Sequence, residues 1–285
     1  MRKYAFLFIS IVFLFHCVSV TFAAEPFRFA LFTDLHINAN NAQPAEDLQN
    51  AVNDVNILAG IDFVIISGDI TQFGDTVSLK KAKQMLEKLN IPYYIIPGNH
   101  DVKWNEPGAT NFKQIFRDDK FSFSHKGFQF IGFTTAPLTK SDNGTIKKQD
   151  IDWMKTVLLK SGTKIPIFVV THYPLQTGDV DNWFEMTDIL RKYNVQAVLG
   201  GHYHRNVLLN YDKIPGIICR STLRAKDVVG SYTIFSISDS IHVFEKKISQ
   251  SEDLWLAMPI ETKKYNQPDT TLRSLNTTLS KQSVL

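Results

Sequence analysis

Apolar residues along the chain follow two periods in turn, and this alternation predicts a layered α/β domain. Short β-branched or aromatic runs indicate buried strands, whereas apolar residues that recur every three or four positions indicate helices. Strands that alternate with helices and then give way to hairpins predict a mixed sheet or a pair of sheets covered by helices. The predicted strands up to residue 200 are 27–33, 62–67, 91–96, 121–124, 128–134, 165–171 and 195–199, the predicted helices are 44–58, 77–89, 149–159 and 183–193, and short strands follow residue 207.

The first 23 residues have the pattern of an export signal. Arg2 and Lys3 form a basic start, residues 5–20 are mostly apolar, and Ala23 is a small residue at a position that suits cleavage. We therefore expect a cleaved signal peptide over residues 1–23 and a periplasmic or secreted mature chain without a transmembrane span. The alternative is an uncleaved membrane anchor, which is disfavoured because the run is short for a bilayer span and contains polar residues.

The composition of the rest is that of an ordinary globular domain. The whole chain has 31 Lys and Arg against 28 Asp and Glu, a formal net charge of +3. This weak balance does not favour specific nucleic-acid binding, which needs a concentrated basic patch. Only Cys219 remains after cleavage, so no intramolecular disulfide is expected. Residues 24–260 are the predicted folded domain, and the polar composition beyond them predicts a flexible tail over residues 261–285.

Five of the eight histidines lie in short polar segments that each follow an apolar run. Ligands of open α/β sheets collect at the carboxyl ends of strands, so the fold would bring these segments to one rim. Imidazole and carboxylate groups are ligands of Zn, Mn and Fe, and the D-x-H and H-x-H spacings place both side chains on one side of an extended segment. Together with one histidine-free Gly-Asp, the segments are Asp34-Leu35-His36, Gly68-Asp69, Gly98-Asn99-His100-Asp101, His172-Tyr173-Pro174 and Gly201-His202-Tyr203-His204.

This ordered set of segments, over residues 27–210, resembles that of the calcineurin-like metallophosphoesterase superfamily. The resemblance implies a four-layer α/β/β/α sandwich of mixed sheets with a dinuclear centre of Fe, Mn or Zn. Seven ligand positions suit two metals that share one carboxylate. By the resemblance, the first metal takes Asp34, His36, Asp69 and His204, and the second takes Asp69, Asn99, His172 and His202, with Asp69 as the bridge.

The resemblance also implies hydrolysis of a small-molecule phosphoester by a metal-bridging hydroxide. His100 would be a non-ligand histidine that donates a proton to the departing alkoxide. Asp101 would tune His100 or support the ligands, although an Asp after a turn can equally be only a helix cap. His125 and His242 lie in a hairpin turn and within a strand, and neither is expected to be a ligand.

Departures from other branches narrow the resemblance. The motif G-D-x-x-D-R-G of Ser/Thr phosphatases is replaced by GDITQFG at residues 68–74, which leaves the partner that orients His100 unidentified. His36 and Ile70 stand where purple acid phosphatases lack a histidine and use a tyrosine. The chain is therefore similar to the compact class III cyclic nucleotide phosphodiesterases and their relatives.

Three hypotheses for function follow from these observations. The first is an exported metal-dependent phosphodiesterase, and the second is a phosphomonoesterase that scavenges external phosphoesters such as nucleotides. A hypothesis of another class is a non-catalytic interaction scaffold with the same fold and an incomplete metal site. All seven ligand positions and His100 are present, which favours an enzyme.

Overall fold

The computed structural model describes residues 25–102, 104, 110–137, 143–226, 228–260 and 262. The predicted signal peptide lies outside these residues, as does the predicted tail apart from Thr262, so both stay predictions. Among the described residues, no helix combines the length and the apolar character needed to cross a bilayer.

Twelve strands and six helices account for the described fold. In chain order they are β1 (Phe27–Phe32), α1 (Gln43–Ile57), β2 (Phe63–Ile66), α2 (Thr76–Leu86), β3 (Tyr93–Ile95), α3 (Asn99–Val102), α4 (Thr110–Phe116), β4 (Lys120–His125), β5 (Phe128–Phe133), α5 (Lys148–Ser161), β6 (Ile167–Val170), α6 (Trp183–Leu190), β7 (Val195–Gly200), β8 (Val207–Tyr211), β9 (Ile214–Ile218), β10 (Ser231–Ile237), β11 (Ser240–Lys247) and β12 (Glu252–Pro259).

The strands form two mixed sheets of six strands each. The first has the order β12-β11-β10-β1-β2-β3, and the second has the order β4-β5-β6-β7-β9-β8. In the first sheet β1, β2 and β3 are parallel, and in the second β5, β6, β7 and β9 are parallel. Each sheet therefore has a parallel centre whose strand ends can supply a site.

Phenylalanine side chains fill the space between the two sheets. The ring of Phe29 stacks on those of Phe63 and Phe235 in its own sheet, with centroids 5.2 and 4.7 Å apart. It also meets the edges of Phe130 and Phe168 from the second sheet at 5.3 and 5.8 Å. Burying each such ring contributes about 1.5–3 kcal/mol, so this layer binds the sheets firmly together.

Helices cover the two outer faces of this pair of sheets. Leu48 of α1, Leu79 of α2 and Phe112 of α4 pack on the first sheet. Met154 of α5 and Met186 of α6 pack on the second. The predicted four-layer α/β/β/α sandwich is thus confirmed.

The helices and strands predicted along the chain occur within a few residues of their expected bounds, but three elements were not predicted. These are α3, α4 and β12. The two helices are too short to show a clear helical period, with four and seven residues. Strand β12 lies at the edge of its sheet and has no fully buried position, so its sequence carries little strand signal.

Candidate metal centre

The strand ends bring all seven predicted ligands together at one edge of the sandwich. The loops after β1 and β2 are joined by backbone hydrogen bonds from Asp34 N to the Gly68 carbonyl (3.0 Å) and from His36 N to the Asp69 carbonyl (2.9 Å). The two sheets are joined across the site, because the backbone N–H of His202 donates to the Asp34 carboxylate at 3.1 Å. The first sheet supplies Asp34, His36, Asp69 and Asn99, and the second supplies His172, His202 and His204.

Five of these ligand positions have a left-handed backbone, which non-glycine residues adopt only rarely. This conformation turns a side chain away from the direction that a continuing strand would give it, and it costs about 1–3 kcal/mol at each residue. Such strain collects at functional sites, and here it aims the side chains at one another. The φ angles are 53° at Asp34, 47° at His36, 50° at Asp69, 72° at His202 and 54° at His204.

Among the described residues, the potential ligand atoms fall into three overlapping groups, each within 4.8 Å. Asp69 belongs to two groups, and its Oδ2 lies 3.8 Å from His36 Nε2 and 3.2 Å from His172 Nε2. Asn99 Oδ1 lies 3.1 Å from the same nitrogen of His172. The groups are Asp34–His36–His204, His36–Asp69–His100 and Asp69–His172–His202.

Charge at the site is concentrated in buried carboxylates surrounded by imidazoles. Burial alone would raise the pKa of Asp69, but the nearby His172 and His36 hold that pKa well below its usual range. Burial likewise opposes charge on His172, but Asp69 and Asp34 raise the pKa of its imidazole to about 9. Burial and the adjacent His172 lower the pKa of His202 to about 4. The two buried carboxylates therefore favour a positive charge close to them, on the His172 imidazole or on a bound cation.

This donor set fits divalent metal ions. Asp34 and His172 are fully buried, and carboxylate charge in such a place needs a positive partner. His36 Nδ1 is buried without a hydrogen-bond partner, so the site leaves polar groups that its own side chains do not satisfy. Imidazole nitrogen with carboxylate and amide oxygen suits Zn, Mn and Fe.

His100 lies beside this centre in an orientation that a backbone group fixes. Its Nδ1 is 2.9 Å from the carbonyl oxygen of Gln72, and its ring centroid is 4.7 Å from that of His36. A carbonyl can only accept, so Nδ1 carries the proton that is donated to Gln72. The partner of His100 could not be identified from the sequence, because any residue type supplies a carbonyl.

Asp101 is buried behind the site and braces two of its loops. Its carboxylate accepts hydrogen bonds from the backbone N–H groups of Gly98 (2.9 Å), Ile70 (3.0 Å) and Thr71 (2.8 Å) and from the Thr71 hydroxyl (2.9 Å). These contacts fix the loop after β2 against the start of α3. The role of Asp101 in tuning His100 stays a prediction, and the observed contacts favour a supporting role.

Two glycines allow the backbone to pass close to the ligand carboxylates. A Cβ on Gly98 would lie 2.2 Å from Asp69 Oδ1, and one on Gly201 would lie 2.5 Å from Asp34 Oδ2. Any larger residue would displace these carboxylates, so the glycines are part of the site.

A group of residues beside His202 was not predicted as part of the site. Asp179 Oδ1 lies 3.9 Å from His202 Nε2. The Tyr203 hydroxyl and Gln176 Nε2 both donate to Asp179 Oδ2, at 2.7 and 2.9 Å. The sequence did not single out Asp179, since a single Asp in a loop has many ordinary roles.

The two histidines that were not predicted as ligands lie elsewhere. His125 Nε2 pairs with Asp62 at 3.1 Å, and His242 lies within β11. Neither belongs to the three groups of potential ligands found among the described residues.

A four-layer sandwich with carboxylates and imidazoles gathered at its strand ends is the arrangement expected of a metallophosphoesterase. Over residues 27–206 the sequence matches the family described as "Calcineurin-like phosphoesterase". The chain therefore belongs to this family and is a metal-dependent phosphoesterase, which confirms the predicted family and the predicted enzyme class.

Known proteins similar to this chain agree with that assignment. A protein of Ruthia magnifica named "Probable cyclic nucleotide phosphodiesterase" is 29% identical over 68% of this chain and 85% of its own length. A protein of Arcobacter nitrofigilis named "Probable glycerophosphodiester phosphodiesterase GpdQ" is 30% identical over 54% of this chain and 60% of its own length. The crystal structure of a dimetal phosphatase from Danio rerio has the same fold, with a TM-score of 0.66, 14% identity, and coverage of 83% of this chain and all of that one.

Proposed function

We propose that this phosphoesterase hydrolyses small-molecule phosphodiesters with a dinuclear metal centre. The observation that carries the proposal is the position of Asp69, whose Oδ2 lies 3.8 Å from His36 Nε2 and 3.2 Å from His172 Nε2. A carboxylate in that position can be shared by two metal ions. The phosphodiesterase names of two relatives support diesters as the substrate class.

The seven candidate ligands divide into two sets, and each set would hold one ion of Fe, Mn or Zn. The two sets share Asp69, and Asn99 would complete the second. Bound metals of this kind lower the pKa of water towards neutrality and offset the charge of the phosphoryl group. By the family resemblance, the first set would be Asp34, His36, Asp69 and His204, and the second Asp69, Asn99, His172 and His202. Two of the groups seen in the structure, Asp34–His36–His204 and Asp69–His172–His202, support this division.

His100 would act on the leaving group rather than on the metals. Because its Nδ1–H donates to the Gln72 carbonyl, Nε2 is the nitrogen that can hold and release a second proton. A proton given to the departing alkoxide accelerates hydrolysis by about 10²–10⁴-fold. Asp69 Oδ1 accepts the backbone N–H of His100 at 2.8 Å, which ties this proton donor to the bridging carboxylate.

The proposal is tested by a substrate panel on protein loaded with Mn, Zn or Fe. We expect bis-p-nitrophenyl phosphate and cyclic nucleotides to be hydrolysed with a higher kcat/KM than p-nitrophenyl phosphate. A preference for monoesters would favour the scavenging phosphatase instead. Purified protein that holds no divalent metal and shows no turnover on any substrate would favour the scaffold and refute the proposal.

We also propose that the enzyme acts outside the cytoplasm. The basic start and apolar run of residues 1–23 support export, and scavenging of external phosphoesters suits such a location. Mass spectrometry of the protein recovered from cell fractions tests this. A mature N-terminus at Ala24 in the exported fraction is expected, and an intact N-terminus in the cytosol would contradict it.

A further inference from the structure

A carboxylate outside the predicted ligand set faces one of the ligand histidines. Asp179 is 7% exposed, and its Oδ1 lies 3.9 Å from His202 Nε2. The other oxygen, Oδ2, accepts from the Tyr203 hydroxyl and from Gln176 Nε2. Gln176 Nε2 also lies 2.8 Å from the Tyr203 hydroxyl. The carboxylate is thus held through one oxygen while the other is directed at the imidazole.

The surroundings of Asp179 and His202 are fixed independently of any ligand. The Asp179 carbonyl accepts the Gly144 N–H at 2.7 Å, and the Asp181 N–H donates to the Gly144 carbonyl at 3.0 Å. The ring of Tyr173 meets that of His202 at 4.2 Å between centroids, in an edge-to-face arrangement. Asp179 is therefore a rigid neighbour of this histidine.

His172, the fully buried histidine supplied by the second sheet, shows how such a contact fixes a ring. His172 Nδ1 lies 2.9 Å from the Ser67 carbonyl, which leaves its Nε2 to face Asp69 and Asn99. A histidine that binds a metal usually donates its second ring N–H to a carbonyl or carboxylate, and this contact fixes its tautomer. In His202 the ring nitrogen that faces a possible acceptor is Nε2, and the acceptor is the Asp179 carboxylate.

We propose that Asp179 is a positioning residue whose carboxylate accepts a hydrogen bond from the Nε2–H of His202 and thereby leaves Nδ1 of that ring to bind a metal. The 3.9 Å separation is longer than a hydrogen bond, so the proposed contact requires the partly exposed His202 ring to turn towards Asp179 when a metal binds. The inference rests on the proposed two-metal centre and adds a residue that selects the metal-binding tautomer at one of its two sites.

The variant Asp179→Asn tests this role because it keeps the shape of the side chain. Its carbonyl oxygen can still accept from Tyr203 and Gln176, so its NH₂ group would face His202 and could only donate. That contact favours the His202 tautomer that carries its proton on Nδ1. A protonated Nδ1 cannot bind a metal. We expect affinity for one of two Mn²⁺ ions to fall about 10–100-fold, as measured by titration of the metal-free protein.

A matched control is Tyr203→Phe, which removes one donor to Asp179 Oδ2 and leaves Oδ1 facing His202. It should lose less Mn²⁺ affinity than Asp179→Asn. The urea unfolding midpoint of the metal-free Asp179→Asn protein should match that of the wild type, because the proposed role concerns the metal. A lower midpoint with unchanged affinities would reduce Asp179 to a structural residue and overturn the proposal.

Two other results would also overturn it. The first is that Asp179→Asn binds both Mn²⁺ ions with the affinities of the wild type. The second is that the wild-type protein binds fewer than two Mn²⁺ ions. The readout does not include hydrolysis. A wild-type protein that binds two metals but does not hydrolyse phosphodiesters would therefore refute the proposed function while leaving this inference intact.

Discussion

Two clusters of buried charge in this protein are balanced in opposite ways. Between α1 and the first sheet, the Asp54 carboxylate accepts hydrogen bonds from Lys246 Nζ (2.7 Å), the Tyr232 hydroxyl (2.7 Å) and the Ser249 N–H (3.0 Å). At the metal centre, the carboxylates of Asp34 and Asp69 face imidazoles instead. In the first cluster, the chain itself supplies the cation that balances the carboxylate. In the second, a cation from solution can balance the carboxylates.

The difference separates a structural use of buried charge from a functional one. Burial opposes the ionisation of Asp54, but Lys246 and Tyr232 outweigh it and lower the pKa of that carboxyl. An ammonium group supplies this stabilisation permanently. Imidazoles supply it only when protonated, and a metal ion competes with that proton.

The largest expected effect is that of Asp69→Asn. The change removes the carboxylate that both metals would share, so both metals and nearly all turnover of bis-p-nitrophenyl phosphate should be lost. Metal analysis by mass spectrometry and a hydrolysis assay check this. Asp54→Asn is the matched control, because it neutralises a buried carboxylate outside the site and should keep both metals. Retention of two metals by Asp69→Asn would contradict the bridging role.

His100→Asn should separate a proton donor from the ligands around it. The variant is expected to keep its metals and to lose about 10²–10⁴-fold in kcat, with the greater loss for esters of poorly acidic alcohols. Rates on diesters with leaving groups of graded pKa, measured beside metal content, check this. A rate unchanged across that series would end the assignment of His100.

Lys246→Met should destabilise the cluster around Asp54 without affecting the candidate metal centre. The substitution leaves Asp54 buried without its ammonium partner, and removal of one member of a buried pair costs about 3–5 kcal/mol. Urea denaturation should show that loss in the free energy of unfolding, while kcat of the folded protein stays at the wild-type value. Unchanged stability would show that Tyr232 and Ser249 satisfy Asp54 unaided.

The smallest expected effect is a pH dependence that belongs to Asp54. Its pKa is lower in the folded protein than in the unfolded chain, where an Asp has a pKa of about 3.9. Its contribution to stability is therefore complete above about pH 4 and is lost as the pH falls through the folded pKa. The difference in unfolding free energy between metal-free wild type and Asp54→Asn should shrink below that pH. A constant difference would assign the contribution to packing.

The sequence predicted that the candidate ligand segments meet at one edge of the fold, because each segment follows an apolar run. Asp34 and Asp69 are recognisable beside their strands, and parallel strands had to bring them to one edge. The left-handed backbone at these positions was not predicted, since glycine is the usual signal for it and these residues are Asp and His.

What the sequence did not predict depends on contacts between distant segments. The Asp54–Lys246 pair joins residues 192 positions apart, and neither residue has a local pattern that reveals its partner. The Gln72 carbonyl that orients His100 belongs to the backbone and has no residue-type signal. The packing of Phe29 between the sheets likewise depends on how the sheets align, which periodicity within one strand does not specify.

The division of the site between the two sheets has a consequence for the order of assembly. Asp34 and Asp69 belong to one sheet and His172 and His204 to the other, so neither half of the sandwich alone can retain an ion through the whole set. Metal binding by the whole proposed set would therefore require that the two halves have docked across their phenylalanine layer. An ion bound by residues of both sheets would link the two halves, and chelators are then expected to speed their separation during unfolding.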